Sequence, residues 1–376
     1  MILDDLTKIT ELDTQNMFQM VYSWAELVEE ILQYSFEVPT KAEVGRYTIS
    51  YERINLISQI VICGMGGSAI SGEYLSVYLK NQLKIPVIVH RNYDIPAFIS
   101  ENTLIILVSY SGNTEETISC LITALENSAK IIGIGSGGTL ETFCRKYKLP
   151  FFPIPSGYQP RASFPLLFFP LLKILDRMEL FSLDQSAIDE TLSLFRQMRQ
   201  EFRPEEPTTS NQAKKIAETL HGRIPVIWSP FNCIANRMKC QLNENSKILA
   251  LAEEIPELNH NHIVGWESWE KENPFILLTY RFQEEHPNVK LRFDITKEII
   301  KDKVEIIEIV AQGTHLLSQL FSATYFGDYI SMYLAILNNQ DPNTVDSIVY
   351  LKNQLEQRKQ TQTKLITALH SLPEAQ

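Results

Sequence analysis

Two short segments carry the residue types and spacing of an anion site. Ser109, Ser111 and Thr114 crowd a turn around Gly112, after the apolar run Thr103–Val108 and before Glu115, Glu116 and Thr117. A β-branched run leading into a hydroxyl-rich turn and a helix N-terminus offers an anion neutral donors. These are the hydroxyls, the free backbone N–H groups and the positive end of the helix dipole. Upstream, Gly64-Met65-Gly66-Gly67-Ser68 also follows an apolar run and opens a helix, with glycines that let the backbone approach a ligand closely. The hydroxyl-rich turn contains no lysine, so a Walker-type nucleotide loop is excluded and a monophosphate fits better. If the strands feeding the two turns are neighbours, Ser68, Ser109, Ser111 and Thr114 converge on one phosphate at the C-terminal edge of a sheet. Taken singly, the hydroxyl turn also reads as an ordinary connection in which Ser111 or Asn113 caps a helix.

The glycine string satisfies the loose dinucleotide fingerprint GxGxxA as well, with Arg91 after the next strand as a ligand for an NADP 2′-phosphate. Against a dehydrogenase, no acidic residue ends that strand to hold a ribose. Consecutive Gly66 and Gly67 before Ser68 suit a small phosphate better than a pyrophosphate.

Around these turns the pattern is that of alternating strands and helices. Residues 1–45 read as a helical arm, with Met17, Val21, Trp24, Leu27, Val28 and Ile31 forming an apolar stripe. Short apolar runs at 57–63, 86–90, 104–108 and 130–134 read as parallel strands, and 151–155 as an edge strand. Helices are expected over 166–175 and 192–198, and Arg203-Pro204-Glu205-Glu206-Pro207 reads as a surface linker. Runs at 223–228, 275–280 and 304–310 then repeat the rhythm, which predicts a second, similarly built α/β domain. Helices over 318–338 and from about Thr344 close the chain. The fold class is therefore α/β, with doubly wound parallel sheets flanked by helices.

The 376 residues leave room for two domains, and a hydrophobic fraction of 44% with a charged fraction of 21% describes an ordinary globular chain. A net charge of −11 argues against nonspecific nucleic-acid binding. The five cysteines are scattered, odd in number and in no CxxC pair, which predicts reduced thiols and neither a disulfide framework nor a zinc site. No apolar stretch approaches the roughly 20 residues of a membrane span, and Met1-Ile2-Leu3-Asp4-Asp5 has no signal-peptide pattern. The expectation is a cytoplasmic protein.

Residues 61–72 (VICGMGGSAISG) with 107–117 (LVSYSGNTEET) resemble the sugar isomerase (SIS) domain. Residues 156–163 (SGYQPRAS), 243–247 (NENSK), 256–266 (PELNHNHIVGW) and 347–355 (SIVYLKNQL) narrow the resemblance to the bifunctional phosphoglucose/phosphomannose isomerases, which carry two SIS domains in one chain. The resemblance spans nearly the whole sequence in motif order. With the pattern of elements, it gives a helical arm at 1–45, SIS domains at 46–160 and 208–340, a helical connection at 161–207 and a C-terminal helix at 341–376. It further implies interconversion of glucose 6-phosphate, mannose 6-phosphate and fructose 6-phosphate through a cis-enediol(ate), without metal or nucleotide cofactor. Motif by motif, Gly67, Ser68, Ser109, Ser111 and Thr114 would hold the phosphate. Arg161 would stand beside the reacting carbons and Glu244 would be the base. His260 would open the sugar ring from the other subunit of a homodimer, and Lys352 would assist at the ring oxygen. Met238 stands where related chains often carry an aromatic residue, and His262 where an acid is common.

These residue types suit the reaction. One carboxylate can take a proton from one carbon and return it to the next. A permanently charged, planar guanidinium suits the enediolate oxygens, and an imidazole suits ring opening near neutral pH. As isolated residues, Glu244 reads as a solvated capping acid, Arg161 as a surface arginine and Lys352 as an exposed helical lysine. Spacing alone does not choose between His260 and His262: an extended segment puts both on one face, a helix splays them apart. Tolerance of both C2 epimers needs a forgiving pocket around C2–C3, for which Pro342 and Thr344 are candidates. The rival reading is a noncatalytic SIS-type regulator that binds a sugar phosphate; it would have no use for the Glu244, His260 and Lys352 strings.

Overall fold

The computed structural model describes residues 2–370. The chain packs as two units, one made of residues up to Ala25 with Asp184–Thr344, the other of Glu26–Leu183 with the chain from Val345 on. Helices α1 (Leu6–Leu12), α2 (Met17–Tyr22) and α3 (Trp24–Gln33) open the chain, and their stripe Met17, Val21, Trp24, Val28 and Ile31 is buried. The helical reading to residue 45 stops short. Strands β1 (Lys41–Val44) and β2 (Tyr47–Ser50) form an antiparallel hairpin around Gly45, whose φ is 57°. Pro39 blocks helix continuation, and Ala42, Val44 and Ile49 are buried at the alternating period of a strand.

The larger sheet is built from β3 (Gln59–Cys63), β4 (Val87–His90), β5 (Thr103–Val108), β6 (Lys130–Gly135) and β7 (Phe151–Pro153). All pairings are parallel and the order is β4-β3-β5-β6-β7. Every residue of β5 and β6 is buried, the reason these strands read as continuous apolar runs. Between the strands run α4 (Gly66–Leu79), α5 (Glu115–Glu126) and α6 (Gly138–Lys146), and α7 (Phe164–Arg177) follows β7 and packs on α4. The order reverses at the β3–β5 pair, so the turns after these strands open side by side, where a doubly wound sheet binds its ligand.

In the other unit, α8 (Gln185–Phe202) and α9 (Gln212–Leu220) precede β8 (Ile224–Ser229), α10 (Asn232–Gln241), β9 (Leu251–Glu254), β10 (Phe275–Arg281), α11 (Pro287–Ile300), β11 (Glu305–Val310) and α12 (Leu316–Leu337). Its parallel sheet has the order β11-β10-β8-β9, which matches β6-β5-β3-β4 of the larger sheet. The repeat inferred from pattern is thus a repeat of strand topology. Helix α12 is apolar nearly all round because it is buried nearly all round. Its N-terminus is clasped by Glu190 of α8, whose carboxylate accepts from the Thr314 N–H at 2.9 Å, the His315 N–H at 3.0 Å and the Ser318 hydroxyl. Burial opposes the charge on Glu190, but the bonds from Ser318, His315 and Thr314 prevail and hold its pKa well below the usual carboxylate range.

Two further helices, α13 (Asp346–Lys359) and α14 (Thr361–His370), rejoin the unit of the larger sheet, where α14 packs on α5. Among the described residues no helix is long and apolar enough to cross a membrane.

Candidate active site

In the unit of the larger sheet, the two anion-type turns and the Arg161 loop meet. A Cβ on Gly64 would lie 2.8 Å from the Val108 carbonyl and 3.0 Å from Ser68 Cβ, so the glycine turn abuts the end of β5. A Cβ on Gly67 would lie 3.6 Å from the Pro160 carbonyl, so the loop before Arg161 covers the same turn. Gly112, with φ of 67°, sits where any Cβ would run into the Gly137 carbonyl, which fixes the hydroxyl turn against α6. Thr114 occupies the N-cap of α5 without capping it. Its hydroxyl lies 2.9 Å from that of Ser109, which is buried, while Ser111 at the rim is exposed. The first N–H groups of α4 and α5 have no acceptor within their own helices, so both ends offer donors to an anion.

Arg161 is buried, and its Nη1 donates to Gln159 Oε1 at 3.5 Å. A residue that the sequence reading passed over holds its loop. The Tyr110 hydroxyl, from the middle of the hydroxyl turn, donates to the Pro155 carbonyl at 3.0 Å and accepts from the Tyr158 N–H at 2.8 Å. Burial raises the Tyr110 pKa, so the phenol remains a donor. The one signal in the sequence was a large hydroxylated aromatic among small turn residues. Arg91, the residue a 2′-phosphate would need, is ion-paired with Glu73 at 2.6 Å.

The other unit carries Glu244 and His260. Helix α10 does not stop at a cap but widens into a π-helical turn, Leu242–Ser246, with Glu244 at its centre and half-buried. Lys247, in the left-handed region at φ 57°, ends the turn, and its ammonium donates to the carbonyls of Glu244 at 2.8 Å and Asp341 at 2.6 Å. Single π-turns inside or at the end of α-helices recur at functional sites. Seven residues upstream, Arg237 pairs with Asp328 of α12 at 2.6 Å in the core, where burial pushes the Asp328 pKa up to about 6 against the pull of Arg237. Met238 lies against α12 at Gly327, where a Cβ would come 3.0 Å from its sulfur.

The two histidines separate. Two 3-10 turns, Glu257–His260 and His262–Trp266, are broken at Asn261, with φ −150° and ψ −65°. The break turns His262 inward, where its ring is edge-on to Trp228 and Trp266 and its Nδ1 lies 3.6 Å from Glu253. Burial lowers its pKa, and Glu253 opposes this. His260 is exposed. Beside it runs a groove of ≈ 480 Å³ lined by Ile263 and by Leu291, Ile295 and Ile299 of α11. Lys352 lies on α13 and is exposed, as are Ile348, Val349 and Leu351 around it. Thr344 donates to the Asp341 carbonyl at 3.4 Å, and Pro342 is buried.

Comparison with known proteins adds an independent line. Residues 209–355 match the family described as bacterial phospho-glucose isomerase C-terminal SIS domain, and residues 55–144 match the SIS domain. The chain is 38% identical over 348 residues to a bifunctional phosphoglucose/phosphomannose isomerase of Caldicellulosiruptor bescii, covering 91% of this chain and 100% of that one. A protein of the same name from Aquifex aeolicus is 34% identical over 79% of this chain and 90% of its own. Among solved structures, a hypothetical protein of Thermus thermophilus superposes with a TM-score of 0.69 at 14% identity, over 94% of each chain; at that identity the likeness is one of fold.

Proposed function

The chain belongs to the bifunctional phosphoglucose/phosphomannose isomerase family, and we propose from that premise that it interconverts glucose 6-phosphate and mannose 6-phosphate with fructose 6-phosphate. The observation that carries the reading is 38% identity to an isomerase of that name over 91% of this chain and all of that one, with the NENSK string at 243–247. The regulator reading is disfavoured, because the relatives are enzymes.

The phosphate is assigned to Gly67, Ser68, Ser109, Ser111 and Thr114, a role that the meeting of the two turns in the larger sheet supports. It anchors the sugar by its non-reacting end, so binding energy there serves to position C1 and C2. Ring opening moves a proton to the ring oxygen while the C1 hydroxyl loses one. His260 is assigned this transfer and Lys352 steadies the ring oxygen. In the open aldose, the Glu244 carboxylate takes the proton on C2. The C–H electron pair becomes the C1–C2 double bond, and the carbonyl pair moves onto O1. Arg161 bears against this negative charge, which is where a fixed cation contributes most. Glu244 then returns its proton to C1, the O2 proton passes to O1, and C2 becomes the ketone. Reversal from the ketose yields either aldose, since C2 is trigonal in the intermediate. Presenting either epimer's C2–H to one carboxylate requires only freedom about C2–C3.

The working unit is a cytoplasmic homodimer in which His260 serves the partner's site, acting in the hexose phosphate chemistry of glycolysis and gluconeogenesis. The exposed apolar row Leu291, Ile295 and Ile299, on one face of α11 beside His260, supports a face that is covered in the assembly. A coupled assay of fructose 6-phosphate formation from each aldose phosphate tests the activity. Turnover of both is expected, and failure to turn over either would overturn the reading.

A further inference from the structure

A π-turn is an uncommon, rarely extended geometry, so one that presents a base needs outside support. Helix α12 supplies it from one residue. Ser331 is fully buried; its hydroxyl accepts from Asn245 Nδ2 at 2.9 Å and donates to the Asp328 carbonyl at 2.7 Å. Its own carbonyl accepts from the Ser246 hydroxyl at 2.6 Å. Both residues after Glu244 are thus fastened to Ser331. Two turns on, Asn338 Nδ2 donates to the Ser246 carbonyl at 2.9 Å, and upstream the Arg237–Asp328 pair sets α10 against the same helix.

We infer that Ser331 is a positioning residue for the reaction, fixing through Asn245 and Ser246 the turn that aims Glu244 at the substrate carbon. The inference rests on Glu244 being the base. A carboxylate misplaced by about 1 Å costs on the order of a hundredfold in rate, whereas substrate affinity set by the phosphate turns is untouched. Ser331 differs in this from Ser322, also buried on α12, whose hydroxyl accepts from the Gln312 N–H at 2.8 Å and faces the carbonyls of Gln312 at 2.8 Å and Gln319 at 3.1 Å, with no bond to the π-helical turn.

The test compares Ser331→Ala, the near-isosteric Ser331→Cys, Ser322→Ala and Glu244→Gln, using kcat, KM, melting temperature and the isotope effect with glucose 6-phosphate deuterated at C2. Ser331→Ala is expected to lower kcat by about tenfold or more, to leave KM within about twofold and to raise the isotope effect, because proton transfer becomes slower. Ser331→Cys should fall between wild type and Ser331→Ala, which keeps the test alive should the alanine variant not fold. Ser322→Ala should lower the melting temperature and keep kcat within about twofold. If Ser331→Ala and Ser331→Cys match Ser322→Ala in every readout, Ser331 is structural only and the inference fails. If Glu244→Gln is inactive in that case, the base assignment stands without it; if Glu244→Gln retains wild-type turnover, the base assignment itself has failed.

Discussion

The Ser109 and Thr114 hydroxyls stand 2.9 Å apart over the N-terminus of α5, one from the end of a buried strand and the other from the helix N-cap. Neither spends itself on capping. The pair is set by the parallel sheet beneath it, and an anion seated there would accept from both.

Replacing Ser109 or Thr114 by alanine should raise KM for the sugar phosphates by about tenfold, the loss of one hydrogen bond to a charged group. The double variant should cost less than the sum, because the two hydroxyls share a contact. Inorganic phosphate inhibition measures the same site. Unchanged inhibition constants in all three variants would remove the cradle assignment.

Tyr110→Phe keeps the ring and deletes the hydroxyl that joins the phosphate turn to residues 155–158. The Tyr158 N–H then loses its acceptor, at a cost of about 1–3 kcal/mol in unfolding free energy. Turnover should fall severalfold through the displaced Arg161 loop, while KM moves little. Steady-state kinetics beside a thermal melt decides it, and loss of stability with full kcat would mean that the tie does not reach Arg161.

His260→Asn should slow turnover and leave the melting temperature nearly unchanged, since the side chain is exposed on its own subunit. His262→Asn should do the reverse, lowering the melting temperature through lost packing against Trp228 and Trp266. Equal kinetic damage from both substitutions would contradict the separation of their roles.

Glu190 provides a pH signature. Its folded pKa lies below the ordinary glutamate value of 4.5, so its stabilising contribution is full above that value and is lost as the pH falls below it. Glu190→Gln should therefore destabilise the protein near neutrality by about 2 kcal/mol and flatten the acid limb of stability against pH. Parallel acid limbs for variant and wild type, followed by urea unfolding, would show that the clasp at α12 contributes nothing.

Much of this was legible in the residues. Strands such as Thr103–Val108 announce themselves because both faces are buried, and the turns after them because glycine and hydroxyls have few other reasons to gather there. Leu251–Glu254 was not legible: it is a half-acidic edge strand with no buried residue. Nor was the hairpin at 41–50, masked by the helical stripe before it. Asn243-Glu244-Asn245 read as a polar turn because one extra residue per helical turn leaves no periodic trace in so short a string. The choice between His260 and His262 depended on the backbone break at Asn261, and the Tyr110 tie joins residues too far apart in sequence for any local pattern to register.

The most direct measurement is turnover and substrate affinity of Glu244→Gln side by side. Binding of fructose 6-phosphate should stay within about threefold of wild type while isomerisation drops by about a hundredfold to ten-thousandfold, the range for removing a general base. Turnover comparable to wild type in that variant would contradict the account at its centre.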